Sequence, residues 1–126
     1  MFGDIVTDLA SALQGGMGMA ASANIGDQHM LFEPVHGSTP KRAGMGQVNP
    51  IAMLSSVQLM LEWLGRRKDD PDATIVSQIV ESAIEELISK GNPLTYDLGG
   101  SASTSEVSLA ICESVSGKLK SHYDNS

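Results

Sequence analysis

The chain has little of several residue types that define whole classes of protein. Its single cysteine, Cys112, excludes an internal disulfide framework and a cysteine-based zinc site. Only 8 lysines and arginines stand against 15 aspartates and glutamates, which gives a net charge of −7, whereas a nucleic-acid-binding surface needs clustered positive charge. No apolar run approaches the length of a membrane span, and no basic-then-apolar leader opens the chain. We therefore expect a soluble cytoplasmic protein that binds neither nucleic acid nor membrane.

The composition is that of a folded domain. Hydrophobic residues make up 41% and charged residues 18% of the 126 residues. That length suffices for one domain with a core and is too short for two ordinary domains.

Apolar residues recur at helical spacing in four segments. The predicted helices run from Asp4 to Leu13, from Pro50 to Leu64, from Asp72 to Lys90 and from Ser103 to Lys120. Asn49 is the expected cap of the second helix and Gly65 its stop, while Gly91 caps the third. Ser103 forms a capping box with Glu106 at the start of the fourth. A short apolar run from His29 to Glu33 predicts a strand, while residues 17–24 fit either an extended segment or a turn. We expect Cys112 to be buried on the apolar side of the last helix and residues 122–126 to form a frayed tail.

This inventory is rich in helices and poor in strands. Amphipathic helices must cover something apolar, and in a complete α/β domain that would be a sheet. The pattern therefore indicates either a small helical domain or a piece of a larger α/β protein. The opening Met1-Phe2-Gly3 favours the piece, because it leads directly into a motif with no element before it.

The segment from Leu31 to Pro50 is an unusually long loop with three glycines and three prolines. Long ordered loops between apolar segments are often functional. Glycines let backbone N–H groups approach a ligand, and the Lys41-Arg42 pair supplies positive charge in an acidic protein. No G-x-G-x-x-G motif follows a strand, so the loop is not a Rossmann fingerprint.

Asp4 and Asp8 lie four positions apart on the first predicted helix. This spacing puts two carboxylates on one helix face, roughly 6 Å apart. Asp4 as a helix cap with a solvated Asp8 is one interpretation. A site for a hard cation such as Mg²⁺ or Mn²⁺ is the other, since these ions prefer carboxylate oxygens.

Three motifs resemble those of the β-decarboxylating dehydrogenases, the family of the 3-isopropylmalate, isocitrate, homoisocitrate and tartrate dehydrogenases. They are Phe2 to Asp8 (FGDIVTD), Glu33 to Pro40 (EPVHGSTP) with Ala43-Gly44 and Asn49-Pro50 behind it, and Asp97 to Thr104 (DLGGSAST). Their order and spacing match the family, nearest 3-isopropylmalate dehydrogenase. The resemblance implies an α/β, non-Rossmann fold of which this helix-rich chain is a C-terminal fragment. Residues 1–16 would be the metal-site helix, 30–50 the cofactor loop, 50–120 the helical part of the large domain and 121–126 the tail.

The resemblance also implies a set of site residues. Asp4 and Asp8 would bind Mg²⁺ or Mn²⁺, which polarises the hydroxyl and carbonyl of the substrate. The implied cofactor-binding residues are Glu33 near the nicotinamide, His36 and Asn49 at the adenine, Gly37, Ser38 and Thr39 along the adenosine and phosphate path, and Lys41, Arg42 and Tyr96 at a 2′-phosphate. The last three favour NADP over NAD, although residues 98–101 lack the arginine that NADP-linked isocitrate dehydrogenases carry after the tyrosine.

The resemblance assigns no catalytic residue to this chain. The proton-transferring groups, the substrate-binding arginines and a third metal aspartate would all lie upstream, so we expect no turnover by the isolated chain. The parent protein would be a homodimeric NAD(P)-dependent oxidoreductase that oxidises and decarboxylates a 3-isopropylmalate-like 2-hydroxy acid. Isocitrate, homoisocitrate or tartrate as the substrate, or a non-catalytic cofactor-binding or regulatory module, are the alternatives.

Overall fold

The computed structural model describes residues 2–13 and 16–124, and within the first helix it leaves out the side chains of residues 2–4, 7, 8 and 11. Its elements are helix α1 (Phe2–Leu13), strands β1 (Ala21–Ile25) and β2 (Met30–Pro34), helices α2 (Ile51–Lys68), α3 (Pro71–Lys90) and α4 (Thr104–Asp124), and the short 3-10 turns Pro40–Arg42 and Tyr96–Leu98. The strands form an antiparallel hairpin in which Ala21 pairs with Pro34 and Ile25 with Met30. The predicted strand is confirmed, and the undecided segment 17–24 divides into a turn at 17–19 and the first part of β1.

The core lies among α2, α3 and α4. Its buried side chains are Ile51, Ala83, Ile84, Leu87, Val107 and Ile111. The three- and four-residue spacings within α3 and α4 put these side chains on one face of each helix, as the sequence pattern predicts. A buried polar pair also joins α2 to α3, since Gln58 Nε2 donates to Ser77 Oγ over 3.1 Å and Ser77 Oγ donates to the Gln58 carbonyl over 3.2 Å.

Gly65 was expected to end α2, but it lies buried inside the helix. The helix continues to Lys68 and is capped by Asp69 in a left-handed conformation. A Cβ atom at Gly65 would collide with Thr74 Oγ1 and would lie 2.9 Å from the Thr74 backbone nitrogen. The missing side chain therefore lets α3 approach α2 closely, and this tertiary contact outweighs the low helix propensity of glycine.

The helix ends agree with the sequence in most other respects. Gly91 caps α3 with a left-handed backbone. At α4, the Glu106 carboxylate accepts hydrogen bonds from Ser103 N and Ser103 Oγ, each 2.7 Å long, and these bonds lower the pKa of Glu106. This is the predicted capping box. The Asn49 side chain accepts a hydrogen bond from Ile51 N at the start of α2. The capping residue is nevertheless Pro50, whereas Asn49 had been expected from the sequence.

Two expectations about α4 were wrong. Residues 122–124 of the expected frayed tail continue the helix, and residues 125 and 126 lie outside the described residues. Cys112 is exposed and not buried. The reason is its register: Val107 and Ile111 are the core-facing positions, and the next residue is rotated by about 100° away from them.

Helix α1 is present where the sequence predicts it, but its described apolar side chains are not covered. Ile5, Val6, Leu9 and Leu13 are all more than half exposed. Among the described residues, none of the helices combines the length and apolar character needed to cross a membrane.

Replacing the buried glycine of α2 and an open glycine of α4 by alanine should have opposite effects. Gly65→Ala forces side-chain atoms into Thr74 and should lower the free energy of unfolding by about 1–3 kcal/mol. Gly117→Ala meets nothing within 4 Å and should raise it by about 0.5–1 kcal/mol. Urea unfolding of the two variants measures both values, and equal effects of the same sign would contradict the close α2–α3 approach.

Glu86 links α3 to α4 through its carboxylate. Oε1 accepts from Lys90 Nζ at 2.6 Å, and Oε2 accepts from Lys118 Nζ and Ser114 Oγ, both at 3.1 Å. The hydrogen bonds from Lys90, Lys118 and Ser114, in that order, lower the pKa of Glu86 from 4.5 to about 2. A lowered pKa contributes stability above the unfolded value of 4.5, and that contribution is lost as pH falls toward 2.

The Glu86→Gln variant should therefore be less stable than the parent at neutral pH, and the difference should shrink between about pH 5 and about pH 2. High salt should also reduce it, because the partners are partly exposed. Glu85→Gln, one position along on the exposed side of α3, serves as the control. Thermal unfolding across pH measures the effect, and a difference that stays constant with pH would refute the assigned role of the carboxylate.

Candidate functional site

The long loop that follows β2 is fastened at both ends. At its start, Val35 N donates to the Ala20 carbonyl over 3.1 Å. Near its end, the Gly46 and Val48 carbonyls accept hydrogen bonds from Thr104 N and Thr104 Oγ1, with lengths of 2.8 and 2.6 Å. The first residue of α4 thus anchors the loop, which places residues 35–50 beside the connection between α3 and α4.

That connection, residues 91–103, is itself tightly folded. Leu98 N and Gly100 N both donate to the Thr95 carbonyl, and Ala102 N donates to the Leu94 carbonyl. A Cβ atom at Gly100 would collide with the Leu94 carbonyl oxygen. In this conformation the backbone therefore leaves no room for a side chain at Gly100, one of the positions where the expected arginine is missing.

A pocket of about 270 Å³ lies between these two loops and the turn before β1. Its lining residues are Met17, Gly18, His36, Thr39, Val48, Asn49, Tyr96 and Asp97. Four of them, His36, Thr39, Asn49 and Tyr96, are predicted cofactor-binding residues. The fold thus brings together side chains that are up to 60 positions apart in sequence, from His36 to Tyr96.

Asn49 is the most buried polar residue of the pocket, with 8% of its surface exposed. Its Oδ1 accepts from Ile51 N, and its Nδ2 donates to Asp97 Oδ2, both over 2.9 Å. Gly18 packs directly on this pair, because a Cβ atom there would lie 2.8 Å from Asp97 Oδ2. The Gly18 carbonyl also accepts from Ala52 N at 3.1 Å, which holds the turn against the start of α2.

His36 and Thr39 line the pocket from the long loop. His36 Nδ1 lies 2.9 Å from the Gly37 carbonyl oxygen, which requires the proton on Nδ1 and leaves Nε2 of the neutral ring as an acceptor. Thr39 has a left-handed backbone, with φ 45° and ψ 57°. This conformation is strained for a β-branched residue, by about 1–3 kcal/mol, and such strain is often found at binding sites.

Arg42 places a fixed positive charge beside the pocket. Its guanidinium carbon lies 4.3 Å from the centroid of the Tyr96 ring, a cation–π geometry. Arg42 Nη1 also donates to Gln47 Oε1 over 3.4 Å. The guanidinium is thus held at the edge of the pocket through the ring of a lining residue.

The other predicted site residues lie outside the pocket lining. Glu33 is exposed on β2, where its Oε1 accepts from Asn24 Nδ2 at 3.2 Å. Gly37, Ser38 and Lys41 are exposed along the loop. The side chains of the predicted metal ligands Asp4 and Asp8 lie outside the described residues. Among the side chains that are described, no three acidic, histidine or cysteine residues group together to hold a metal ion.

Four lining residues were not among the predicted site residues. These are Met17, Gly18, Val48 and Asp97. Asp97 belongs to the DLGG motif, so its presence in a motif was visible, but its contact with Asn49 spans 48 positions and no local pattern reveals it.

A larger open groove of about 950 Å³ runs between α3 and α4. Its walls include Ile75, Ile79, Glu86, Glu113, Lys118 and His122. It contains none of the predicted site residues. Of these two, the smaller pocket is therefore the better candidate site, because it joins polar groups that the sequence had singled out.

In the described residues, helices pack beside a β-hairpin and a polar pocket lies between two loops, as expected of a part of an α/β protein. A family model described as isocitrate/isopropylmalate dehydrogenase matches residues 1–111. The chain belongs to the isocitrate/isopropylmalate dehydrogenase family, and the family resemblance noted in the sequence is confirmed.

Individual relatives agree with this assignment. The chain is 43% identical to an isocitrate/homoisocitrate dehydrogenase of Thermus thermophilus, over 91% of this chain and 32% of that protein. It is 42% identical to a 3-isopropylmalate dehydrogenase of Methanothermobacter thermautotrophicus, over 88% of this chain and 31% of the relative. The crystal structure of an isocitrate dehydrogenase from Methylococcus capsulatus superposes with a TM-score of 0.82 at 43% identity, covering 91% of this chain and 32% of that one. The chain thus spans about a third of the length of the relatives it matches, and its helix-rich structure is a part of their fold.

Proposed function

We propose that this chain carries the adenosine end of the cofactor site, and part of the metal site, of an NAD(P)-dependent β-decarboxylating dehydrogenase. The observation that supports the proposal is the pocket in which His36, Thr39, Asn49 and Tyr96 meet. The parent enzyme would oxidise and decarboxylate a 2-hydroxy acid of the 3-isopropylmalate type. It would work as a cytoplasmic homodimer.

The pocket has a suitable size for part of a dinucleotide. Sites for whole drug-sized ligands or cofactors usually occupy roughly 300–1,000 Å³. At about 270 Å³ this pocket lies just below that range, which suits one end of a dinucleotide better than the whole cofactor. Glu33, which the resemblance puts near the nicotinamide, lies on the hairpin outside the pocket, as an extended cofactor would require.

The polar groups of the pocket suit a purine. After its bonds to Ile51 and Asp97, the Asn49 amide retains one N–H donor and one acceptor lone pair. An asparagine amide with both groups available pairs well with an adenine edge, which offers an adjacent acceptor and donor. The bound NAD(P) would supply the hydride acceptor, while this chain's residues bind and orient its adenosine end.

Positive charge at the pocket edge favours NADP. Arg42 is held over the Tyr96 ring. Lys41 precedes it in the 3-10 turn Pro40–Arg42, which follows the strained Thr39. A 2′-phosphate carries nearly two negative charges and accepts charge-assisted hydrogen bonds from such groups. NAD, whose ribose has a hydroxyl at that position, would gain no comparable contact.

The metal part of the proposal rests on sequence spacing together with the helical backbone of α1. The helix runs without a break through Asp4 and Asp8, which therefore lie about one turn apart. Two carboxylates alone make an incomplete site for Mg²⁺ or Mn²⁺, so binding by the isolated chain should be weak.

The names of the relatives leave the substrate open. They include isocitrate/homoisocitrate dehydrogenase and 3-isopropylmalate dehydrogenase at nearly equal identity. The choice of a 3-isopropylmalate-like substrate follows from the His36-Gly37-Ser38 and Asp97 to Gly100 segments, which resemble that branch.

Exchange of the basic pair should reverse the cofactor preference. The chain should bind NADP⁺ roughly ten- to a hundredfold more tightly than NAD⁺, the equivalent of one charge-assisted hydrogen bond. In the Lys41→Asp/Arg42→Ile variant the carboxylate would accept the ribose hydroxyl and repel the phosphate, so NAD⁺ should bind better. Calorimetric titration gives the two dissociation constants.

A control variant makes the same change of charge elsewhere. Arg67→Ile/Lys68→Asp alters the exposed end of α2 and should leave the ratio of the two dissociation constants unchanged. If the exchange at positions 41 and 42 moves that ratio no more than this control does, the basic pair is only a solvated surface feature.

Metal binding can be tested with paramagnetic Mn²⁺, which broadens NMR signals near its site even when binding is weak. Backbone signals of α1 should broaden on titration, and Asp4→Asn or Asp8→Asn should reduce the broadening because an amide is a poorer ligand for a hard cation. Asp27→Asn, in the exposed hairpin turn, is the matched control. Equal broadening of α1 in all four proteins would mean that Asp4 only caps the helix, that Asp8 only lies in solvent, and that neither binds the metal.

A further inference from the structure

We propose that Asp97 is a positioning residue, which holds the side-chain amide of Asn49 in the orientation that ligand binding requires. The identity of the ligand rests on the proposed function, whereas the contact itself rests on the geometry of the pocket. Asp97 Oδ2 accepts the hydrogen bond from Asn49 Nδ2 at 2.9 Å. Both residues line the same pocket.

The arrangement determines which way the Asn49 amide faces. The Ile51 N–H requires an acceptor, which must be Oδ1, and the Asp97 carboxylate requires a donor, which must be Nδ2. An amide rotated by half a turn would set N–H against N–H at one end and oxygen against oxygen at the other. The bonds to Asp97 and Ile51 therefore require the same orientation of the Asn49 amide. Its remaining N–H donor and its remaining acceptor lone pair then have defined directions.

Asp97 is exposed, but hydrogen bonds of the surrounding turn hold its backbone in place. It lies in the 3-10 turn Tyr96–Leu98, whose backbone is tied to Thr95 and Tyr96. Gly18 packs against both partners, since a Cβ atom there would lie 2.8 Å from Asp97 Oδ2 and 3.4 Å from Asn49 Cβ. Three separate segments of the chain thus converge on one hydrogen bond.

The inference extends the role of the DLGG motif. Its aspartate would not need to touch the metal or the substrate; it would act through Asn49. Loss of a hydrogen bond that orients a ligand-binding group typically lowers the affinity for the ligand by a few-fold to about tenfold.

The first test needs no ligand. In the 126-residue chain, the two side-chain N–H signals of Asn49 in a ¹⁵N NMR spectrum report the environment of that amide. Asp97→Ala should shift both signals and speed their hydrogen exchange. Asp97→Asn retains an acceptor oxygen and should change them less. Asn49 signals that Asp97→Ala leaves unmoved would overturn the inference.

A second variant protects the test against a general loss of structure. Gly18→Ala puts a methyl group 2.8 Å from Asp97 Oδ2, the mobile end of a side chain, so the carboxylate can move aside without unfolding the protein. The methyl group would also lie 3.6 Å from Asn49 Nδ2 and shift its signals directly, so the readout for this variant is hydrogen exchange. The Asn49 side-chain N–H groups should exchange faster, as in Asp97→Ala, while the melting temperature stays near that of the parent chain. Unchanged exchange in Gly18→Ala, with Asp97→Ala merely unfolded, would refute the positioning role.

The third measurement connects the contact to binding. With NADP⁺ as the probe, Asp97→Ala should weaken binding about three- to tenfold, Asp97→Asn by less, and Asp97→Ala added to Asn49→Ala should cause no further loss. Additive losses would mean that Asp97 acts independently of Asn49 and would contradict the inference. If the parent chain binds no NADP⁺ while the Asn49 signals respond as expected, the positioning role stands and the proposed nucleotide function fails.

Discussion

The side chain of Asn49 is the point on which the candidate site depends. Its amide joins the first backbone N–H of α2 to the carboxylate of Asp97, and the turn at Gly18 closes over the pair. Each of these two hydrogen bonds ties one segment to the same side-chain amide and sets the direction in which the amide faces. The end of the long loop, the Tyr96–Leu98 turn and the N-terminal end of α2 thus meet at one side chain.

Around this point the helices supply a rigid support. Ile51, two positions after Asn49, is almost completely buried against side chains of α3 and α4. The pocket is therefore connected to the core through a single turn of α2.

Helix α1 lacks such a connection to the core, since its described apolar side chains remain exposed. The relatives are about three times as long as this chain, and a surface of this kind in them would have further protein available to cover it.

The sequence predicted the elements well because apolar spacing and caps are local signals. The capping box at Ser103 and Glu106 and the cap at Gly91 were found where their patterns indicated. Gly65 was misjudged, since its role is to let α3 approach α2, and propensity contains no information on that contact. Cys112 was misjudged because a helix with sparse apolar residues does not define its buried face sharply.

The candidate site was partly predictable, because motif resemblance names single residues but not the tertiary contacts between them. Motif resemblance identified His36, Thr39, Asn49 and Tyr96, which the fold brings into one pocket. It did not identify the Asn49–Asp97 hydrogen bond or the position of Arg42 over the Tyr96 ring, because each joins residues about fifty positions apart. Contacts of that separation depend on the tertiary structure as a whole.

The central claim is that the pocket around Asn49 binds the adenosine end of a nicotinamide cofactor. The most direct measurement is a map of backbone ¹H–¹⁵N chemical shifts while NADP⁺ is titrated into the chain. The account predicts that the largest changes occur in residues 36–49 and 95–98, and that residues 113–122 of the α3–α4 groove do not respond. Changes confined to that groove, or no saturable change at any residue, would contradict it.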